Sequence, residues 1–253
     1  MKEKNYTDIN AETIDSWVKS GWEWGIPITH EKYLDATNGK WEMVLTPTKP
    51  VPKNWFPTSL KRLKVLGLAS GGGQQMPIFA ALGAICTVLD YSLLQLESEQ
   101  MVANREGYSI EIIRADMTKP LPFIDATFDL IFHPVSNCYV KEVEPIFKEC
   151  YRILKPGGIL LAGLDNNVNY LSDDENFINN KLPFDPLVNP EQMEMLKATD
   201  SGVQFSHTLE EQIGGQLKAG FILTHIYDDI NGSGRLHDLN IPTFFATRAV
   251  KPK

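Results

Sequence analysis

From Leu63 onward the chain alternates short apolar runs with amphipathic stretches. Leu63-Lys-Val-Leu-Gly-Leu68 reads as a first core strand running into the loop Ala69-Ser-Gly-Gly-Gly73. Gln74 to Leu82 follows as a short apolar helix, with Pro77 tolerable in its first turn and Gly83 as its stop. Ala84 to Leu89 is almost wholly apolar, as expected of a parallel strand covered on both faces. Ser92-Leu-Leu-Gln95 has capping-box form and opens a helix to about Arg105, ended by Gly107. Ile110 to Ala115 and Phe128 to Phe132 are the third and fourth strands. Val143, Ile146, Phe147, Cys150 and Leu154 recur at helical spacing, Lys155-Pro-Gly-Gly158 stops that helix, and Ile159 to Leu164 is the fifth strand. Thr208-Leu-Glu-Glu211 is a second capping box, with Leu209, Ile213 and Leu217 marking one face of its helix up to Gly220. Phe221 to Tyr227 and Thr243 to Val250 close the chain as an antiparallel pair, with Asn231-Gly-Ser-Gly234 as loop between them. The pattern predicts an α/β fold: a mostly parallel seven-stranded sheet with helices on both faces and the last strand reversed.

Two stretches break this rhythm. Residues 1–60 hold all five tryptophans and several prolines, an aromatic-rich N-terminal cap. Residues 61–253 form the core, interrupted after the fifth strand by a polar, proline-punctuated insertion at about 165–205, expected to be a lid. The tryptophans either pack against the outer helices or offer aromatic faces to an apolar or cationic ligand.

Composition narrows the function. The net charge of −8, with no Lys/Arg cluster, argues against a nucleic-acid partner, which needs a basic stripe to displace counterions. Met1 to Asp8 lacks the apolar core of a signal peptide, and the run Ile78–Leu89 is too short to span a bilayer. The expectation is a cytoplasmic protein with no membrane partner; oligomeric state has no signature. Cys86, Cys138 and Cys150 have no metal-ligand spacing, so no metal is expected.

The chemistry concentrates at strand ends. Gly71-Gly-Gly73 follows the first strand, where absent side chains let backbone approach a ligand and helix-start N–H groups lie unpaired. Asp90 ends the second strand, 19 positions after Gly71, and a carboxylate there can accept both hydroxyls of a ribose. Asp116 ends the third strand, placed to accept from an adenine amino group, with Met117 beside it to pack on the base. Three successive strand tips on one edge form the ligand edge of an open α/β sheet.

Val65-Leu-Gly-Leu-Ala-Ser-Gly-Gly-Gly73 resembles motif I of class I S-adenosylmethionine-dependent methyltransferases. Asp90 resembles their ribose-binding acid, Asp116 their adenine-contacting acid, and Tyr151-Arg-Ile-Leu-Lys-Pro-Gly-Gly-Ile-Leu-Leu161 their helix–turn–strand signature. The nearest likeness is to the group of quinone-biosynthesis and uncharacterised bacterial small-molecule enzymes. The resemblance implies a Rossmann-like fold, S-adenosylmethionine as cofactor, and direct in-line methyl transfer to a small-molecule acceptor. It assigns the cofactor to Ala69, Ser70, Gly71, Gly72, Gly73, Asp90, Tyr91, Asp116, Met117 and His133. The chain departs from the family at Gly67, where an acid is usual, and at Ala69, where glycine is usual. His133 heads the fourth-strand tip His133-Pro-Val-Ser-Asn-Cys-Tyr139 and is either a base or a lining residue; Tyr139, His30 and His207 are further candidates. Competing expectations are a non-catalytic cofactor-binding or regulatory protein, an NAD(P)-dependent oxidoreductase, and an aminopropyl transferase.

Overall fold

The computed structural model describes residues 4–172 and 174–253. Seven strands run β1 (Lys64–Leu68), β2 (Ile85–Asp90), β3 (Ile110–Arg114), β4 (Phe128–His133), β5 (Leu154–Asp165), β6 (Ile222–Asp229) and β7 (Phe244–Val250). They lie in the order β3-β2-β1-β4-β5-β7-β6. Pairs among β1–β5 are parallel, whereas β7 is antiparallel to both neighbours, β5 and β6. Chain order reverses between β1 and β4, and such a switch point opens a crevice at the carboxyl ends of the strands.

Alternation along the buried strands feeds two cores. Leu130 and Phe132 of β4 join one, Phe128 and Ile131 the other. The second core is covered by α5 (Glu144–Ile153), whose Ile146, Phe147, Cys150 and Ile153 are all buried. The first lies under α3 (Met76–Ala81) and α4 (Leu93–Glu106). Ser92 caps α4 as expected, accepting from the Gln95 N–H at 3.2 Å, and Gly107 ends it at φ 75°. The return arm of that box is absent, because the Ser92 N–H goes to Asp90 instead.

Residues 43–60 cover the first core over the β5–β7 half of the sheet. Met43, Leu45, Val51, Trp55, Phe56 and Leu60 are all buried there, in the same core as the strands. Gly163 makes this possible. A Cβ at Gly163 would stand 2.0 Å from the Leu45 carbonyl oxygen, so the segment lies directly on β5 only because position 163 has no side chain. Asp229 anchors it further, its carboxylate accepting from the Thr48 and Lys49 N–H groups.

The earlier residues form α1 (Tyr6–Lys19) and α2 (His30–Thr37). The segment 165–205 contains a short turn at Val168–Tyr170 and α6 (Pro190–Ala198). Asn10 of α1 joins the two: its Nδ2 donates to the Val203 carbonyl at 2.9 Å and its Oδ1 accepts from the Val203 N–H. The remaining short helices are α7 (Gly215–Ala219) and α8 (Arg235–Asp238).

One expected face is corrected. Leu209 and Leu217 are 56% and 53% exposed, Ile213 alone of the expected face packs partly buried against the second core, and Gln212, Gly215 and Gln216 are buried. Thr208 and Glu211 do form a reciprocal capping box. Glu210–Gly214 is then wound as a π-helix, which shifts the register of every later position relative to the α period. Among the described residues, no helix is long and apolar enough to cross a membrane.

Candidate active site

Two cavities lie along the strand tips. The smaller, about 110 Å³, is lined by Leu89, Asp90, Tyr91, Asp116 and Met117, with Thr7, Asn10 and Ala11 of α1 among the other lining residues. The larger, about 270 Å³, is lined by Ala69, Ser70 and Gly71 of the glycine turn and by Pro134 and Val135 after β4. Asp165 at the tip of β5 lines the larger cavity as well. Trp22, Ala69, Gln95, Val135 and Tyr139 border both, so the two are compartments of one cleft.

Asp90 and Asp116 therefore face a common space, as their strand-end positions predict. Asp90 also organises the turns around it, its two oxygens accepting from the Gly71 and Ser92 N–H groups at 3.0 Å each. Burial pushes its carboxyl above the ordinary carboxylate range, against the pull of the Ser92, Gly71 and Tyr91 N–H groups, and Asp15 adds to the rise. Asp116 accepts from the Thr118 N–H at 2.9 Å. Over this compartment α1 is tied down by two acids: Tyr91 Oη donates to Asp8 at 2.6 Å, and Ser92 Oγ to Asp15 at 2.5 Å.

The glycine turn works differently from the expectation that its amides grip a ligand. All three N–H groups donate to the protein: Gly71 to Asp90, Gly72 to the Gln95 carbonyl at 2.9 Å, and Gly73 to Glu99 Oε1 at 2.8 Å. Gly72 and Gly73 line neither cavity; their φ values of 95° and 68° turn the chain where other residues would be strained. At Gly71 the need is space, because a Cβ would sit 2.6 Å from Gln95 Cβ and 3.0 Å from Asp90 Oδ2. Ala69, where the family has glycine, also adopts a left-handed φ of 48°. At Gly67 the usual acid would require a shift of its neighbour: its Cβ would meet Sδ of the completely buried Met76 at 2.9 Å.

The histidine candidates lie away from the cleft. His133 is fully buried and lines neither compartment; its Nδ1 is 2.9 Å from the Leu68 carbonyl and its Nε2 2.8 Å from Asn137 Oδ1. Burial holds its pKa below the ordinary histidine value. That corrects its expected place beside ligand: both nitrogens are engaged in the core. His30 starts α2, with Nδ1 2.7 Å from Glu106 Oε2, and lines neither compartment either. His207 Nε2 is held by the Asn137 and Val140 carbonyls. Tyr139, by contrast, borders both compartments, its phenol pushed far up in pKa by burial.

The tryptophans divide. Trp55 is buried and Trp41 packs edge-on against Phe56, whereas Trp22 and Trp24 line the larger compartment together with Tyr170 of the 165–205 segment. Asp165 was not among the expected site residues. Its position at the end of β5 repeats that of Asp90 on β2, which is the signal that could have found it.

A methyltransferase domain profile matches residues 66–162. YbaJ, an uncharacterised methyltransferase of Bacillus subtilis strain 168, is 42% identical over 250 residues, covering 96% of this chain and 97% of its own length. This chain belongs to the class I S-adenosylmethionine-dependent methyltransferases. Sterol 24-C-methyltransferase ERG6B of Gibberella zeae is 32% identical over 100 residues, 38% of this chain but 26% of that protein. An S-adenosylmethionine-dependent methyltransferase of Mesorhizobium loti shares the fold, with a TM-score of 0.60 at 18% identity over 78% of this chain and 94% of that one. The dinucleotide, regulatory and aminopropyl readings fall away with this membership. The residues present suit the family's cofactor: carboxylates at two adjacent strand tips share one compartment, and a Cβ at Gly71, in the turn after neighbouring β1, would crowd Asp90.

Proposed function

We propose that this methyltransferase acts on a small-molecule acceptor held in the larger compartment, with the adenosine of the cofactor in the smaller one. In this reading Asp90 takes the ribose hydroxyls, Asp116 and Met117 the adenine, and Ala69, Ser70 and Gly71 border the methionine portion, with Tyr91 part of the adenosine wall. S-adenosylmethionine supplies a methyl group already made electrophilic by its sulfonium. The protein's remaining task is to orient an acceptor and exclude water, and such positioning contributes on the order of 7–11 kcal/mol when alignment is good.

The observation that carries the reading is the enclosure. The compartment of about 270 Å³ falls just below the roughly 300–1,000 Å³ span of small-molecule sites. Its lining draws on both the N-terminal segment, at Trp22, and the 165–205 segment, at Tyr170, and Asn10 joins those segments. Among the described residues no Lys, Arg or His lines it to hold phosphates, in keeping with the net charge of −8.

The test is calorimetry and thermal melting with S-adenosylhomocysteine, NAD and NADP. The demethylated cofactor is expected to bind and raise the melting temperature, and the dinucleotides to do neither. Binding with Asp90→Ala unchanged from wild type would overturn the placement of adenosine.

A further inference from the structure

We propose that the acceptor is an amine carried on a mostly apolar, ring-sized body, and that Asp165 is the carboxylate that receives its nitrogen. The proposal rests on the methyl-transfer reading above and adds the acceptor's chemical class to it.

Strand order separates Asp165 from the adenosine compartment. Asp90 ends β2 on one side of β1, and Asp165 ends β5, two strands beyond β1 on the other. At a strand spacing of about 4.8 Å, that places β5 roughly 10 Å from β1 and further still from β2. Asp165 lines the larger compartment and not the smaller.

Its side chain is held for a ligand. Asp165 is 2% exposed, and its Oδ2 has no partner at hydrogen-bonding geometry. Buried polar atoms are nearly always satisfied, so an orphaned carboxylate oxygen on a cavity wall calls for an explanation. The other oxygen is fixed by a buried chain. Gln212 Nε2 donates to Asp165 Oδ1 at 3.2 Å, Asn137 Nδ2 donates to Gln212 Oε1 at 2.9 Å, and Asn137 Oδ1 meets His133 Nε2 at 2.8 Å. His133 Nδ1 in turn rests on the Leu68 carbonyl, next to the glycine turn. Three side chains thus orient one carboxylate on the cavity wall, and its second oxygen is left without a partner.

The surrounding wall selects the sign of the ligand. Among the described residues Asp165 is the only Asp, Glu, Lys, Arg or His on that wall, and Trp22, Trp24, Tyr139, Tyr170 and Phe244 supply aromatic surface, which attracts cations. A carboxylate-bearing acceptor would meet a like charge with no Lys, Arg or His side chain among the described lining residues to offset it.

Burial lifts Asp165 to about 7, against the pull of the Asn167 and Asp165 N–H groups and of Gln212. The titratable neighbours Cys138 and Tyr170 are themselves held protonated by burial, and burial holds His133, at the far end of the chain, below the ordinary histidine value. Asp165 is therefore the group that changes charge near neutral pH. An incoming ammonium gives one proton to Asp165 Oδ2, the N–H bonding pair stays on nitrogen as its lone pair, and a charged pair becomes a neutral acid and a nucleophilic amine.

The experiment is calorimetry at pH 8 on protein saturated with S-adenosylhomocysteine, using three probes matched in size: 2-phenylethylamine, 2-phenylethanol and 3-phenylpropanoate. The amine is expected to bind at least roughly tenfold more tightly than the alcohol, as removing one partner from a buried charge pair costs, with the carboxylate weakest. Asp165→Asn is expected to bring the amine to the level of the alcohol while leaving S-adenosylhomocysteine affinity unchanged. The wild-type ranking tests the proposal without any variant. No amine binding, an alcohol or carboxylate that binds as tightly, or an Asp165→Asn protein that keeps the amine preference overturns it. Lost S-adenosylhomocysteine affinity in Asp165→Asn would also overturn it, assigning the carboxylate to the cofactor. Failure of the wild type to bind S-adenosylhomocysteine would instead strike the methyl-transfer reading itself.

Discussion

Glu99 sits on α4 behind the glycine turn, completely buried, with Oε1 accepting from the Gly73 N–H and Oε2 unpartnered. Burial pushes its carboxyl from the ordinary 4.5 up to about 8; the Gly73 N–H opposes the rise and Asp90 adds to it. The sign of the resulting pH dependence follows from proton uptake. Between pH 4.5 and 8 the unfolded chain has released a proton that the folded chain retains, so stability is greatest below 4.5 and falls as pH rises through 8. Each pH unit in that window removes up to about 1.4 kcal/mol, roughly 4–5 kcal/mol in all. Glu99→Gln keeps an oxygen for the Gly73 N–H and does not titrate. The melting temperature of the variant minus that of the wild type is expected to grow between pH 5 and pH 8 by the equivalent of about 3–4 kcal/mol. For a domain of this size that is on the order of 10 °C. Melts followed by circular dichroism at half-unit pH steps measure it, and the raised carboxyl of Asp165, which has no coupling to Glu99, cancels because both proteins carry it. A difference that is flat with pH refutes the reasoning, because Glu99 would then ionise alike in folded and unfolded chains.

Asp90→Ala is expected to weaken S-adenosylhomocysteine binding by about a hundredfold or more, the loss of two charge-assisted hydrogen bonds at about 1.5–3 kcal/mol each, as read by calorimetry. The same change strips acceptors from the Gly71 and Ser92 N–H groups, so the ligand-free protein is expected to melt lower as well. Gly163→Ala would drive a methyl into the Leu45 carbonyl, and urea unfolding is expected to show a loss of about 3 kcal/mol or more; an unchanged midpoint would show that residues 43–60 do not lie on β5 as described. Gly67→Asp, which supplies the family's usual acid, is expected to lower the melting temperature through Met76, and adding Met76→Ala is expected to recover part of the loss. No recovery would remove Met76 as the reason this chain lacks that acid.

Much of the site's frame was legible because the signals are local. A strand's apolar run, its closing aspartate and the glycine turn are written in consecutive residues, so Asp90, Asp116 and Gly71 could be placed at one sheet edge before any contact was known. The misread face of α7 shows where locality ends: a helical period cannot register an added π-turn, and Gln212 and Gln216 are buried where Leu209 and Leu217 are not.

By itself, then, the sequence determined the order of the elements, the strand tips and the acids that stand on them. Only the tertiary structure decided that Asn10 would join α1 to a segment 193 positions away, that Glu99 would hold Gly73 across 26, and that Gln212 would fix Asp165 across 47. Asparagine, glutamine and glutamate are ordinary surface residues in a linear reading. Their meaning here comes from burial, which makes each unmet hydrogen bond costly and so dictates the distant partner each one finds.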